Sequence, residues 1–159
     1  MLLAGLLLVP HAAGEHRPDF SGTWNMDVSR SESAHQDVPI GPVSLVVRQT
    51  AAGISIETKR SDGTEKLVFQ FDGAEHTNTT ESGQEIKVKA HWEGLKLVAE
   101  TEREVNGATV TTRHAFTMPP GGREITVDKT LTVQHGYQSP GSPKTTGKGK
   151  DVFVRAAGS

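Results

Sequence analysis

Ile86-Lys87-Val88-Lys89-Ala90-His91-Trp92-Glu93-Gly94-Leu95-Lys96-Leu97-Val98-Ala99 is the stretch that decides the fold. Ile86, Val88, Ala90 and Trp92 point one way, and Lys87, Lys89 and His91 the other. Alternation with period two marks a strand with one dry and one wet face. Glu93-Gly94 turns the chain, and Leu95, Leu97 and Ala99 repeat the pattern against Lys96 and Glu100. Two such runs joined by a tight turn read as an antiparallel hairpin.

The same grammar extends in both directions. Upstream, Phe20-Ser21-Gly22-Thr23-Trp24-Asn25-Met26 reads as a first strand and Ser44–Gln49 as a second. Ala52-Gly53 turns into the alternating run 54–58. Asp62-Gly63 is a hairpin signal before Leu67, Phe69 and Phe71, and Asp72-Gly73 another before His76 and Asn78. Downstream, Asn106-Gly107 is the strongest hairpin dipeptide in the chain, and Val110, Thr112, His114 and Phe116 follow on one face. Pro119-Pro120-Gly121-Gly122 breaks the run, after which Ile125, Val127, Lys129, Leu131 and Val133 share a face. Residues 27–42 read as a polar loop with room for one helical turn around Ser29 to Ala34. Residues 136–150, rich in Gly, Ser, Pro and Lys, read as a flexible loop before a last strand at 151–155.

No segment keeps a 3.6-residue period. The expected fold is therefore all-β: about eight to ten strands in an up-and-down antiparallel meander. A meander of this length closes on itself or leaves long adhesive edges, so a barrel is favoured over an open sheet.

Composition agrees and excludes several classes. A net charge of −2 offers no cationic surplus for nucleic acid. Apolar content of 34% and aromatic content of 5% suit strands with one solvated face. Without cysteine there is neither a disulfide nor a thiolate metal site. The seven histidines never pair at metal-ligand spacing, so neither a metal nor a cofactor is expected. The run Leu2–Val9, then Pro10 and the small residues Ala12, Ala13 and Gly14, is too short to span a bilayer. It reads as a signal peptide cleaved before Glu15, although no Lys or Arg precedes it. The expectation is one exported domain, residues 15–159, in a periplasmic or extracellular setting. The lack of disulfides leans bacterial. Asn78-Thr79-Thr80 would be a glycosylation sequon in a eukaryote.

The chain resembles the calycins, the superfamily of lipocalins and fatty-acid-binding proteins, and within it the lipocalin-like domains of small secreted bacterial proteins. The resemblance rests on Phe20-Ser21-Gly22-Thr23-Trp24 at the first strand, on the meander, on Asp72-Gly73 and Trp92-Glu93-Gly94, and on a last strand ending at Arg155. It implies a lipocalin-like barrel in which Trp24 plugs the closed end and Arg155 packs over it. It also implies an apolar ligand in the lumen. The chain departs from the family in having no room for two lid helices at 27–42, no terminal helix and no disulfide.

The expected lumen wall is Leu67, Phe69 and Phe71, then Ile86, Val88 and Leu97, then Val110, Thr112 and Phe116, then Ile125 and Val127. His114 and Lys129 fall on the same faces, and two readings compete. Either they face a semi-polar lumen and meet a ligand's polar end, or a bulge resets the register and turns both to water. No catalytic residue is expected: nucleophile elbows and phosphate loops are absent, and Glu100, Glu102 and Glu104 form a solvated stripe. Three functions remain: a carrier of a small, mostly apolar molecule; a structural or interaction barrel filled by its own side chains; and, least favoured, an enzyme using His114 and Lys129.

Overall fold

The hairpin dipeptides act where the sequence places them. In the computed structural model, which describes residues 16–34, 41–137 and 144–158, Asn106 and Gly107 adopt φ of 50° and 79°. Those values fit the tight turn that matches strand twist. Ten strands are described: β1 (Gly22–Met26), β2 (Ser44–Gln49), β3 (Gly53–Arg60), β4 (Gly63–Gln70), β5 (His76–Thr79), β6 (Glu85–Glu93), β7 (Lys96–Val105), β8 (Ala108–Thr117), β9 (Glu124–His135) and β10 (Thr145–Arg155). All pairings are antiparallel, in the order β4-β3-β2-β1-β10-β9-β8-β7-β6-β5. Every neighbour is a hairpin partner except β1 and β10, which join the two ends of the chain.

The strip curls until its edges, β4 and β5, meet. They share no ladder. One side chain bridges them: the Asn78 amide donates through Nδ2 to the Val68 carbonyl and accepts through Oδ1 from the Val68 amide, both at 3.0 Å. It thus imitates one rung of sheet. The sequon asparagine is part of the barrel's closure.

One end is packed solid. Trp24 and Phe20 have no exposed surface. Phe20 stacks on Trp92 at 6.1 Å and lies 5.9 Å from Phe116, and Phe71 meets the Trp92 edge at 5.4 Å. Arg155 lies over the Trp24 ring at 4.2 Å, donating to the Gly122 carbonyl through Nε and to the Ser21 carbonyl through Nη1. A Cβ on Gly22 would stand 2.5 Å from Arg155 Nη1, and Gly22 has φ 137°. Only glycine fits beneath the guanidinium, which gives the Gly22-x-Trp24 motif its physical reason.

The expected loop at 136–150 needs correction. β10 begins at Thr145, and its pairing with β9 runs from Thr145↔Val133 to Val154↔Glu124. This half of the strand carries no apolar alternation because another segment covers it. Glu32 exchanges both backbone hydrogen bonds with Lys150. A Cβ on Gly147 would collide with the Ala34 carbonyl, and one on Gly149 would stand 2.5 Å from the Glu32 carbonyl. Glycine keeps the strand thin where residues 32–34 cross it. The expected helical turn is a single 3-10 turn, Val28–Arg30, capped by Asp27. Positions 138–143 of the expected loop, and the expected signal peptide at 1–14, lie outside the described residues.

Candidate functional site

The half of the barrel away from the aromatic plug is hollow. A cavity of about 440 Å³ opens there. Leu45, Ile56, Leu67, Phe69, Phe116, Val127 and Phe153 form its apolar floor and walls, and Ser33 and Ala34 lie at its mouth. The strap at 32–34 thus takes the place above the lumen for which no lid helices were expected.

Of the anticipated lumen residues, Leu67, Phe69, Val110, Thr112, His114, Phe116, Val127 and Lys129 line this cavity. Ile86, Val88, Leu97 and Ile125 do not: all four face inward but are at most 1% exposed, packed within the core. Phe71 lies past the end of β4 and packs on Trp92. These five belong to the filled part of the barrel. Periodicity assigned their face correctly but could not assign their depth.

The register between β8 and β9 is unbroken and pairs His114 with Lys129 directly. No bulge intervenes, and both residues are on the cavity wall. Burial, first, and then the charges of Lys129, Arg60 and Arg103 push the His114 pKa down to about 4, while a ring hydrogen bond to the Ala99 backbone pulls weakly the other way. His114 is therefore neutral near pH 7.

Sequence reasoning missed the partners of the inward cations. Lys129 Nζ lies 2.9 Å from Asp151 Oδ2, an acid with only 7% of its surface exposed. Arg103 binds Glu65 through both its terminal nitrogens, each at 2.8 Å, across the seam between β7 and β4. This fork, aided by Arg60, holds the Glu65 carboxyl below its usual range. Arg60 stands exposed at the rim. Glu65 and Arg103 sit at inward positions of alternating strands, which was the available signal. Their pairing crosses the barrel and leaves no local trace.

A ten-stranded antiparallel barrel, plugged at one end by a first-strand Trp under a C-terminal Arg and hollow at the other, is now in view. The fold is that of the calycins. Solved calycin barrels superpose over most of the chain. The secretary abundant heat soluble (SAHS) protein from Ramazzottius varieornatus is 14% identical, with a TM-score of 0.56 over 86% of this chain and 94% of that one. Fatty-acid-binding protein 1 of Echinococcus granulosus is also 14% identical, with a TM-score of 0.54 over 87% and 98%. Human cRBP IV is 17% identical, with a TM-score of 0.52 over 87% and 99%. At such identities the likeness is one of fold. By sequence, no family model and no curated protein matches the chain.

Proposed function

We propose that this calycin barrel is a carrier that holds one small, mostly apolar molecule in its lumen. The observation that carries the reading is the empty space: about 440 Å³ beneath a strap, walled chiefly by aliphatic and aromatic side chains. Ligand pockets commonly measure about 300–1,000 Å³ and combine apolar walls with a few polar groups. A barrel whose purpose was purely structural would gain stability by filling such a space, since interiors otherwise pack to crystal-like density. The fatty-acid-binding protein of similar fold lends support by analogy. We assign no catalytic reaction to the cavity. Export, read from residues 2–14, belongs to the same proposal and would be tested by sequencing the N-terminus of the protein recovered from its native source.

The test is titration with the neutral fluorescent probe N-phenylnaphthylamine. One saturable site is expected, abolished by Thr112→Trp, which places an indole in the lumen. Absence of saturable binding, or undiminished binding in Thr112→Trp, refutes the carrier reading.

A further inference from the structure

One side chain on the cavity wall carries chemistry that simple carriage leaves unused. Lys129 is the only lysine lining the hollow among the described residues. The other eight lysines of the chain lie off that wall, and seven of them are exposed. Apolar neighbours share the wall with Lys129: Val127 and Leu131 on its own strand, and Phe153 on β10. Its Nζ lies 2.9 Å from Oδ2 of Asp151, and that carboxylate is buried. Oδ1 of the same carboxylate has no hydrogen-bond donor among the described residues.

We propose that Lys129 captures an apolar aldehyde as a reversible iminium, with Asp151 as its counter-ion. A lysine amine held in an apolar pocket is a nucleophile toward a carbonyl carbon. Lys129 passes a proton to Asp151 and adds, as the free amine, to the aldehyde carbon. The carbonyl oxygen becomes the hydroxyl of a carbinolamine. Return of the proton from Asp151 expels that hydroxyl as water and leaves a C=N bond whose nitrogen keeps the positive charge. One ammonium and one aldehyde thus give one iminium and one water.

The charge of the site is the same before and after. Asp151 neutralises the product as it neutralised the lysine, so the reaction buries no new unpaired ion. Hydrolysis needs water to return to the hollow, and an apolar ligand that fills the hollow excludes it. Esters, alcohols and carboxylates form no such bond. The proposal rests on the carrier reading and adds a covalent grip to it.

The neutral, apolar 2-naphthaldehyde tests it on the wild-type protein. Cyanoborohydride fixes each imine as an amine, and peptide mass spectrometry locates it. Lys129 should be labelled about tenfold above any other lysine, because the cavity holds the aldehyde against it. Excess N-phenylnaphthylamine should abolish that labelling. Lys129→Arg keeps the cation beside Asp151 but forms no imine; it should lose the adduct and still bind N-phenylnaphthylamine. Before reduction, bound naphthaldehyde should show the long-wavelength absorbance of a protonated imine. Asp151→Asn, its fold checked by circular dichroism, should shift that band to shorter wavelength. Even labelling of all lysines, Lys129 labelling that excess N-phenylnaphthylamine leaves untouched, or an unshifted band in a folded Asp151→Asn overturns the proposal. If N-phenylnaphthylamine binds and Lys129 stays unlabelled, aldehyde capture fails while the carrier reading stands. If N-phenylnaphthylamine does not bind and Lys129 stays unlabelled, both fail.

Discussion

Replacing Arg155 by Met isolates what the guanidinium does at the plugged end. Met keeps much of the alkyl stem and its packing, so the loss reports the charged head. That head lies 4.2 Å from the centroid of a Trp24 ring with no exposed surface, and a cation so placed contributes about 1–2 kcal/mol. It also donates at 2.9 Å to the Gly122 carbonyl and at 3.0 Å to the Ser21 carbonyl. Charged hydrogen bonds of this kind are each worth about 1.5 kcal/mol, less where water can replace them, as beside this half-buried side chain. The three contributions share one group and do not add fully, so a loss of about 3 kcal/mol is expected. Arg155→Lys keeps the cation but not the fork that reaches both carbonyls, and should lose about half as much. Urea unfolding followed by tryptophan fluorescence measures both, provided the m-value is unchanged. A loss below about 1 kcal/mol in Arg155→Met, or a Lys variant as damaged as the Met variant, would refute the account.

Other outcomes follow from the same geometry. The folded-state pKa of His114 is about 4 against an unfolded value near 6.5, so only the unfolded chain takes up a proton between them. The stability this neutral histidine contributes is complete above about pH 6.5 and fades as pH falls toward about 4; roughly 2 kcal/mol should vanish by pH 4.5, and His114→Gln should flatten that part of the urea-midpoint profile. Asn78→Ala removes both hydrogen bonds to Val68 and should cost about 1–2 kcal/mol; hydrogen exchange at the Val68 amide should quicken well beyond any change at Ile56 in the middle of β3. Gly149→Ala forces a methyl to within 2.6 Å of the Ala34 amide nitrogen and should lower the melting temperature by an amount equivalent to about 1–3 kcal/mol, whereas alanine at Gly41, which has open space around it, should change little.

The parts of this fold written in the sequence are those with local causes. Asp62-Gly63 and Asn106-Gly107 announce turns through backbone chemistry that needs no partner. The alternation of Val110, Thr112, His114 and Phe116 announces a face because one side of that strand is dry. What stayed hidden depends on chain far away. The first half of β10 reads as loop because its inward positions are Gly147 and Gly149, kept small by residues 32–34 more than a hundred positions upstream. Ile125 and Val127 share a period, yet one is packed in the core and the other borders the hollow. The difference follows from where Phe20, Trp92 and Phe116 gather, which no single strand encodes. The carboxylates that neutralise Lys129 and Arg103 were hidden for two reasons: Glu65 meets Arg103 only because the sheet curls, and Asp151 meets Lys129 through a β9–β10 register that the glycine-rich half of β10 does not announce.

The order of strands carries a consequence for how the molecule assembles. Among the described residues, eight of nine ladders join neighbours in sequence and can zip from their turns, while the ninth, β1 with β10, sets Trp24 opposite Arg155 and needs two segments far apart in the chain to find each other. Pairing of that kind carries the entropy of closing a very long loop and slows folding. The free edges of the strip fall instead in mid-chain, at the Asp72-Gly73 turn between β4 and β5. A circular permutant begun at Gly73, with a flexible linker from the old C-terminus to Arg17, would turn the whole barrel into one unbroken meander from edge to edge. Its ninth ladder would become another hairpin, and the same lumen would be reached by a shorter search.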